Sequence, residues 1–343
     1  MPSAADDVAV AIRESGGSIP FDRFMDIALY GPHGFYTSET PGRAGRRGDF
    51  LTSPEVGPLF GEVIARALDD AWQRLGEPDG FTVVDAGAGP GTLARSVLAG
   101  APRCLERGRY VAVEVSDSQR GLHPDGVEST ATMPTDVEVG VILANELLDN
   151  VPFQMWVHDE RWRPARVALD GPRFVEVLGG EPPPGVLPSD ARLGARAPVQ
   201  TGAAEWLEGA LHSLGRGAVW VLDYVSATTA EVSRMPWREW LRTYSGHERG
   251  GHWLTAVGEQ DITIQVCLDQ LAAVREPDVV RTQAQFLRLW GIEEMVEEGK
   301  KVWRENAAAP GLSALRMRSR VSESEALLDP AGLGGFLVVE WRV

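Results

Sequence analysis

The sequence predicts an α/β fold built on a parallel, doubly wound sheet with a ligand-binding turn at its carboxyl edge. Short apolar runs alternate with stretches of helical spacing, which is typical of parallel βα units. The predicted strands cover residues 81–85, 110–115, 139–144 and 218–224. A glycine-rich turn follows the first run, and acidic side chains close the first two runs. Ligands of such sheets bind beyond the carboxyl ends of the strands, so we expect the site there.

Residues 1–78 precede this sheet and are expected to form a helical and loop extension that covers the site. A short helix is predicted near residues 8–14, and a second apolar helical face follows Ile19. Two turn-rich loops come next, before residues 58–76, whose apolar residues lie on one helical face.

The glycine-rich turn predicts a nucleotide-type cradle at the first strand-to-helix connection. Gly87, Gly89 and Gly91 stand at alternate positions before a helix that begins near Thr92. Glycine fits where φ must be positive or where a ligand approaches the backbone closely. A helix N-terminus beside such a turn adds free N–H groups and a partial positive charge.

The acidic residues around this turn favour S-adenosylmethionine over a dinucleotide. The dinucleotide fingerprint is G-x-G-x-x-G/A, and here the third glycine comes one residue early. Asp85 suits a ligand ammonium group better than a pyrophosphate, and Glu114 can accept both ribose hydroxyls. The alternative interpretation is a glycine-rich turn beside solvated acids.

A second group of polar residues follows the strand predicted at 139–144. Glu146 and Asp149 are three residues apart and could face one site, so we predict that both hold the substrate during catalysis. Asn145 is expected to line the cofactor side or to orient Glu146. Alternatively, Glu146 only favours a helix N-terminus and Asp149 a surface turn.

The predicted organisation continues beyond a cofactor-binding core at residues 79–153. Residues 154–262 are expected to form an inserted antiparallel and irregular substrate region that also contributes the core strand 218–224, with residues 226–262 irregular. Residues 263–343 are expected to supply C-terminal helices and the last strands. The predicted elements there are helices at 262–275, 283–290 and 293–306, and strands near 278–281 and 335–343.

The amino-acid composition indicates which binding partners and which cellular compartment to expect. The formal charge of −16 over 343 residues argues against a phosphate-backbone partner, so no nucleic acid is expected. The sequence contains no 18-residue apolar run and its first residues do not resemble a signal peptide, so we expect no membrane insertion. Its two cysteines and six scattered histidines do not match a metal-binding spacing. A cytoplasmic location is the expectation, and the oligomeric state stays open.

These motifs resemble the MidA family, the relatives of the complex I assembly factor NDUFAF7. The most specific matches lie in residues 19–36, 48–62, 85–93 and 145–152, and the resemblance covers most of the chain. It implies a Rossmann-like class I methyltransferase sheet that uses S-adenosylmethionine and releases S-adenosylhomocysteine. Because the mitochondrial member is known as a protein arginine methyltransferase, the resemblance also implies arginine in a protein as the leading methyl acceptor.

The resemblance implies roles for several loop residues. It places the loop of Asp49, Thr52 and Glu55 over the cofactor, although these residues also fit a helix N-cap series. Aromatic and histidine side chains in other loops could wall the substrate pocket, or could simply pack those loops onto the sheet. They are Tyr30, His33, Tyr36 and His247, of which His247 could alternatively act as a general base.

Three other functions stay open at the level of sequence. After Asp261 the family pattern is broken at Gln265 and Cys267, so the acceptor could be a small molecule or a peptide. A non-catalytic assembly factor could bind the same cofactor as a structural ligand. A nicotinamide dehydrogenase is the most distant alternative, because the glycine spacing and Asp85 argue against it.

Overall fold

The computed structural model describes residues 2–38, 52–245, 248–309 and 311–343. The helices are α1 (Ala4–Glu14), α2 (Phe21–Tyr30), α3 (Ser53–Val56), α4 (Pro58–Arg74), α5 (Thr92–Ala99), α6 (Asp117–Arg120), α7 (Thr201–Ser213), α8 (Thr229–Arg234), α9 (Trp237–Trp240), α10 (Leu268–Val274), α11 (Gln283–Leu289), α12 (Ile292–Asn306) and α13 (Leu312–Leu328). The strands are β1 (Ser18–Pro20), β2 (Thr82–Ala86), β3 (Arg109–Val113), β4 (Val127–Thr130), β5 (Gly140–Asn145), β6 (Gln154–Asp159), β7 (Arg161–Asp170), β8 (Arg173–Leu178), β9 (Arg196–Val199), β10 (Gly217–Asp223), β11 (Val225–Ser226), β12 (Leu241–Ser245), β13 (Glu248–Arg249), β14 (Asp261–Ile264), β15 (Val266–Cys267), β16 (Val279–Thr282) and β17 (Leu337–Arg342).

The described residues group into two compact units, each assembled from separate segments of the chain. The first unit takes its residues from Met1–Phe50, Leu147–Gly209 and Asp223–Glu276. The second unit, called the sheet unit below, takes its residues from Leu51–Glu146, Ala210–Leu222 and Pro277–Val343. The predicted boundaries after residues 78, 153 and 262 follow the chain continuously, whereas the units interleave its segments.

The sheet unit carries the predicted α/β sheet. Its seven strands have the order β16-β17-β10-β5-β2-β3-β4. Parallel pairing joins β10 to β5, β5 to β2, β2 to β3 and β3 to β4, while β16 runs antiparallel to β17. Every residue of β2 is buried, as a strand covered on both faces requires. The predicted α/β class with a parallel, doubly wound core is therefore confirmed.

The first unit is built on antiparallel strands and an aromatic core. Strands β1, β7, β6 and β9 form one sheet, to which β8 is added at β7. Helices α1 and α2 supply buried apolar residues to the same core. The Phe21 ring lies 4.9 Å from the Phe153 ring and 4.8 Å from the Trp253 ring, measured between centroids. The predicted helical extension and the antiparallel insertion thus supply residues to one core.

Two local predictions in this unit are wrong. Residues 226–262 are not irregular throughout, since they contain α8, α9, β12 and β13 within the described part of the chain. The helix predicted over 262–275 is instead the strand β14, a short β15 and then α10. Ile262, Ile264 and Val266 alternate along this segment and are buried, and β14 pairs antiparallel with β12. Alternation of β-branched residues therefore outweighs their partial match to helical spacing.

The C-terminal part of the sheet unit contains more helix than the sequence predicts. Helix α13 (Leu312–Leu328) follows α12 and is an additional element. Across the described ranges, none of the helices is both long and apolar enough to cross a membrane.

Candidate functional site

The glycine turn adopts the conformation that its sequence predicts. Strand β2 ends at Ala86 and α5 begins at Thr92. Between them, φ is +73° at Gly87, +53° at Gly89 and +76° at Gly91. A side chain at Gly91 would also press against Pro124 and His123, whose nearest atoms lie 3.0 and 3.1 Å from a Cβ placed there. All three positions therefore favour glycine on conformational grounds, and Gly91 also on steric grounds.

Glu114 follows β3 directly and binds the glycine turn through its carboxylate. It is 8% exposed, and its Oε2 atom accepts a hydrogen bond of 3.0 Å from the backbone N–H of Gly89. Its Oε1 atom accepts from the backbone N–H of Ser116 at 2.8 Å. Burial raises the pKa of Glu114, and these two hydrogen bonds oppose that rise. In dinucleotide-binding proteins, backbone N–H groups of the equivalent turn bind the pyrophosphate. Here the Gly89 N–H group binds the Glu114 carboxylate instead, and the negative charge of that carboxylate disfavours a phosphate at this turn.

Asp85 lies at the end of β2 and is held by a tyrosine that the sequence analysis did not single out. Asp85 is 2% exposed, and the Tyr110 hydroxyl donates a hydrogen bond of 2.8 Å to its Oδ2 atom. Burial raises the pKa of Asp85 to about 7, the Tyr110 hydrogen bond lowers it, and the charge of Glu114 raises it. A cation bound beside Asp85 would therefore favour its ionised form.

Asn145 and Glu146 end β5 in a constrained conformation. Glu146 has φ +52°, in the left-handed region that costs a non-glycine residue on the order of 1 kcal/mol or more. Its backbone N–H donates to the Leu222 carbonyl at 2.8 Å. Its Oε1 atom accepts from the Ser53 backbone N–H at 3.0 Å and from the Asn145 Nδ2 atom at 3.1 Å. Asn145 thus contacts the Glu146 carboxylate, and both roles predicted for it, lining the cofactor side or orienting Glu146, stay predictions.

The loop predicted to cover the cofactor is described only in part. Asp49 and His247 lie outside the described residues. Thr52 occupies the N-cap position of α3, but its side chain makes no capping hydrogen bond. Glu55 is buried, at 6% exposure. Cofactor contacts by this loop stay a prediction.

Asp149 belongs to the first unit, whereas Glu146 belongs to the sheet unit. The prediction that they act on one substrate therefore stays a prediction. Asp149 is 5% exposed, and its Oδ2 atom accepts a hydrogen bond of 2.6 Å from the Thr263 hydroxyl. Its backbone N–H donates to an Asp223 carboxylate oxygen at 3.3 Å. Within the described part of the chain, its buried Oδ1 atom has no hydrogen-bond partner.

Asp261 is a second buried carboxylate of the first unit, and the sequence analysis did not select it. It is 9% exposed, and its Oδ1 atom accepts from Asn150 Nδ2 at 2.9 Å and from the Ile262 backbone N–H at 2.8 Å. Tyr36 also hydrogen-bonds it. Burial raises the pKa of both Asp149 and Asp261, and the charge of Asp149 raises that of Asp261 further. In the absence of a bound cation, the pair therefore tends to retain a proton near neutral pH.

Two of the three described aromatic and histidine candidates join this carboxylate cluster. Tyr30 stacks on Tyr36 with ring centroids 5.6 Å apart, and its hydroxyl donates to the Asn150 carbonyl at 3.1 Å. His33 instead lies with its Nδ1 atom 2.8 Å from an Asp7 carboxylate oxygen. That contact links the loop after α2 to α1, which favours a structural role for His33.

Comparison with known proteins identifies the family of this chain. A family described as "Putative S-adenosyl-L-methionine-dependent methyltransferase" matches residues 63–284, more than half of the chain. The chain belongs to this family. The resemblance to a methyltransferase family, inferred from the sequence motifs, is therefore confirmed. Family membership also supports the predicted enzyme class and S-adenosylmethionine as the cofactor.

Curated relatives are similar to this chain over a short region. The mitochondrial protein arginine methyltransferase NDUFAF7 homolog of Drosophila melanogaster is 42% identical over 85 residues, which is 24% of this chain and 19% of that protein. The mitochondrial protein arginine methyltransferase NDUFAF7 of Homo sapiens is 34% identical over 86 residues, 25% of this chain and 19% of that protein. The matched region thus spans about a fifth of each curated relative.

A solved structure resembles the chain over nearly its full length. A Burkholderia thailandensis protein, crystallised with S-adenosyl-homocysteine, superposes with a TM-score of 0.84 at 25% identity. The match covers 99% of this chain and 92% of that one. A native crystal structure of an uncharacterised protein from the same organism gives a TM-score of 0.78 at 24% identity, over 99% and 91% of the two chains. The predicted Rossmann-like methyltransferase fold is confirmed by these matches.

Among the residues that the structure describes, no group of three or more histidine, cysteine, aspartate or glutamate side chains is placed to hold a metal ion.

Proposed function

We propose that this protein transfers the methyl group of S-adenosylmethionine to a cationic protein side chain, with arginine the leading candidate. The observation that carries the proposal is Glu114, whose carboxylate contacts the Gly89 N–H group. Such a turn is suited to a ligand with hydroxyls and a positive charge and is poorly suited to a pyrophosphate. Family membership supports the same cofactor.

Asp85, Glu114 and the glycine turn, all in the sheet unit, would hold the cofactor. Asp85 would bind its ammonium group and Glu114 its ribose hydroxyls, while the backbone of the glycine turn allows close approach. S-adenosylmethionine, when bound, supplies an electrophilic methyl group on a sulfonium. Further cofactor contacts are proposed for Asn145, Thr52 and Glu55, and for Asp49, which lies outside the described residues.

Carboxylates supply the argument for a cationic acceptor. Arginine is permanently protonated, so its planar guanidinium needs carboxylates that fix it and offset its charge beside a sulfonium. Asp149 and Asp261 are buried together with raised pKa values, and a guanidinium could replace the proton that they tend to retain. Glu146 is proposed as a further carboxylate that holds the acceptor. The names of the curated relatives, protein arginine methyltransferases, support this acceptor class.

The departures from the family pattern have a packing explanation. The Gln265 side chain accepts a hydrogen bond of 2.5 Å from the Ser226 hydroxyl. Cys267 is fully buried, and its backbone N–H donates to Gln200 Oε1 at 2.7 Å. These residues join β11, β15 and the start of α7, so their identity does not by itself favour a small-molecule acceptor.

We propose a cytoplasmic location and no nucleic-acid partner. The net charge of −16 supports the absence of a nucleic-acid partner. Cys104 and Cys267 are both buried free thiols, which fits a reducing compartment. The curated relatives named above are mitochondrial proteins.

Two matched substitutions test the proposal. In Glu146→Gln the shape is kept and the charge removed, so we expect turnover to fall about 10²-fold, the effect of one strong transition-state contact. Affinity for S-adenosylhomocysteine should stay within about threefold, or roughly 0.65 kcal/mol. Asp149→Asn should also lower turnover if the acceptor is cationic, and should be nearly silent if it is neutral. The assay is transfer of labelled methyl to proteins of a cell extract, followed by mass spectrometry.

Two results would contradict these assignments. A large loss of cofactor affinity in Glu146→Gln would move that residue to the cofactor site. Wild-type turnover in both variants would exclude a guanidinium held by these carboxylates.

A further inference from the structure

Ser53 sits in a fully buried position between two side chains that are distant in sequence. It is 0% exposed and is the first residue of α3, where a backbone N–H has no partner within its helix. That N–H donates to Glu146 Oε1 at 3.0 Å. The Ser53 hydroxyl donates in the other direction, to Gln283 Oε1 at 3.0 Å. Ser53 thus couples Gln283 to Glu146 by two consecutive hydrogen bonds.

Gln283 is a rigid anchor for this chain of contacts. Its side chain is 0% exposed and it is the first residue of α11. Its backbone N–H donates to the Phe336 carbonyl at 2.7 Å. The capping box between Thr282 and Gln285 fixes the same helix start. Nothing in the described ranges accepts a hydrogen bond from the Gln283 Nε2 atom, and its Oε1 atom accepts from the Ser53 hydroxyl.

We propose that Gln283 is a positioning residue that sets the Glu146 carboxylate through Ser53. The proposal rests on the function proposed above, in which Glu146 holds the methyl acceptor. Glu146 already has a left-handed backbone, so its carboxylate direction depends on the donors that bind it. Displacement of a catalytic group by about 1 Å can cost 10²-fold in rate. Gln283 would therefore affect turnover without touching either substrate.

Two substitutions at Gln283 distinguish a role in positioning Glu146 from a role in packing the core. Gln283→Leu keeps most of the volume but removes the acceptor of the Ser53 hydroxyl, so we expect kcat to fall about tenfold. Gln283→Glu keeps an acceptor oxygen, so kcat should stay within about threefold of wild type. A purely structural role predicts the reverse order, because a buried carboxylate is less well tolerated than an apolar side chain. The Kd of S-adenosylhomocysteine should not change in either variant.

Further variants keep the test decisive if one protein is unstable. Ser53→Ala removes the hydroxyl but keeps the backbone N–H, and it should lower kcat about as much as Gln283→Leu. The double variant should be no slower than either single variant, because both remove one contact. Arg288→Leu, on the same helix as Gln283, is the control: it removes an exposed ion pair with Glu293, so kcat should stay unchanged.

Hydrogen exchange of the Ser53 amide tests the proposal without activity. We expect exchange at least tenfold faster in Gln283→Leu than in wild type, and close to wild type in Gln283→Glu. If the wild type transfers methyl groups while Gln283→Leu has wild-type kcat and exchange, the positioning role is wrong and the proposed function stands. If the wild type transfers no methyl group but the exchange results hold, the proposed function fails while the positioning of Glu146 is supported.

Discussion

Asp85→Asn is expected to stabilise the fold while weakening cofactor binding. Asp85 is buried at the end of β2, and its Oδ2 atom accepts a hydrogen bond from the Tyr110 hydroxyl, a neutral donor. An asparagine has the same shape and can still accept that hydrogen bond through its amide oxygen. The substitution therefore removes a buried charge with little change in packing.

The raised pKa of Asp85 determines how much stability the Asp85→Asn substitution adds and how that increase depends on pH. Its pKa rises from 3.8 to about 7 on folding, so the native state binds the proton more tightly than the unfolded state. Stability therefore falls as pH rises from about 4 to about 7. One pKa unit corresponds to about 1.4 kcal/mol, so the aspartate costs about 4 kcal/mol at pH 7.5 and about 1 kcal/mol at pH 4.5. Asp85→Asn should recover those amounts.

Urea denaturation at both pH values measures this effect. The midpoint of Asp85→Asn should exceed that of wild type at pH 7.5, and the difference should shrink at pH 4.5. The control is Asp125→Asn, which replaces an exposed carboxylate of the same unit and should change little at either pH. Calorimetry with S-adenosylhomocysteine should show weaker binding to Asp85→Asn. A stability gain that is absent, or that is larger at pH 4.5, would refute the reasoning.

Two further predictions concern the glycine turn. Gly89→Val should abolish binding of S-adenosylhomocysteine without unfolding the protein, because φ is +53° and Gln119 Oε1 lies 3.3 Å from a Cβ at that position. Calorimetry measures the binding, and a circular dichroism melt measures the stability of the fold. Normal binding would show that the turn is purely structural. Glu114→Ala should weaken binding by roughly 1.5–3 kcal/mol, the value of hydrogen bonds to a charged group. Unchanged affinity in calorimetry would remove Glu114 from the cofactor site.

The sheet and its turn could be predicted from sequence because their signals are local. The strand at Thr82–Ala86, the glycines that follow it and the helix at Thr92 all lie within one short stretch. The strand at Asp261–Ile264 is not evident from local spacing, because it depends on pairing with β12, which lies about 20 residues earlier in the chain. Local spacing cannot report such a partner.

The same limit explains which site residues the sequence analysis missed. Asp261 interacts with Asp149 and Tyr36, and Gln283 accepts a hydrogen bond from Ser53. Each of these partners lies more than a hundred residues away in sequence. The sequence predicts Tyr110 as part of an apolar strand, although its hydroxyl is a polar group that needs a partner when buried. A buried tyrosine one strand away from a buried acid is the signal that could have indicated this pair.

The strand order means that β10 is synthesised well before one of its two neighbours in the sheet. Strand β10 lies between β5 and β17, and residues 218–222 are apolar and buried in the finished sheet. Strand β17 (Leu337–Arg342) leaves the ribosome long after β10 (Gly217–Asp223). Through that interval one edge of β10 has no permanent strand neighbour, and an exposed apolar edge pairs readily with other chains. Chaperone protection during this part of translation would therefore affect the yield of native protein.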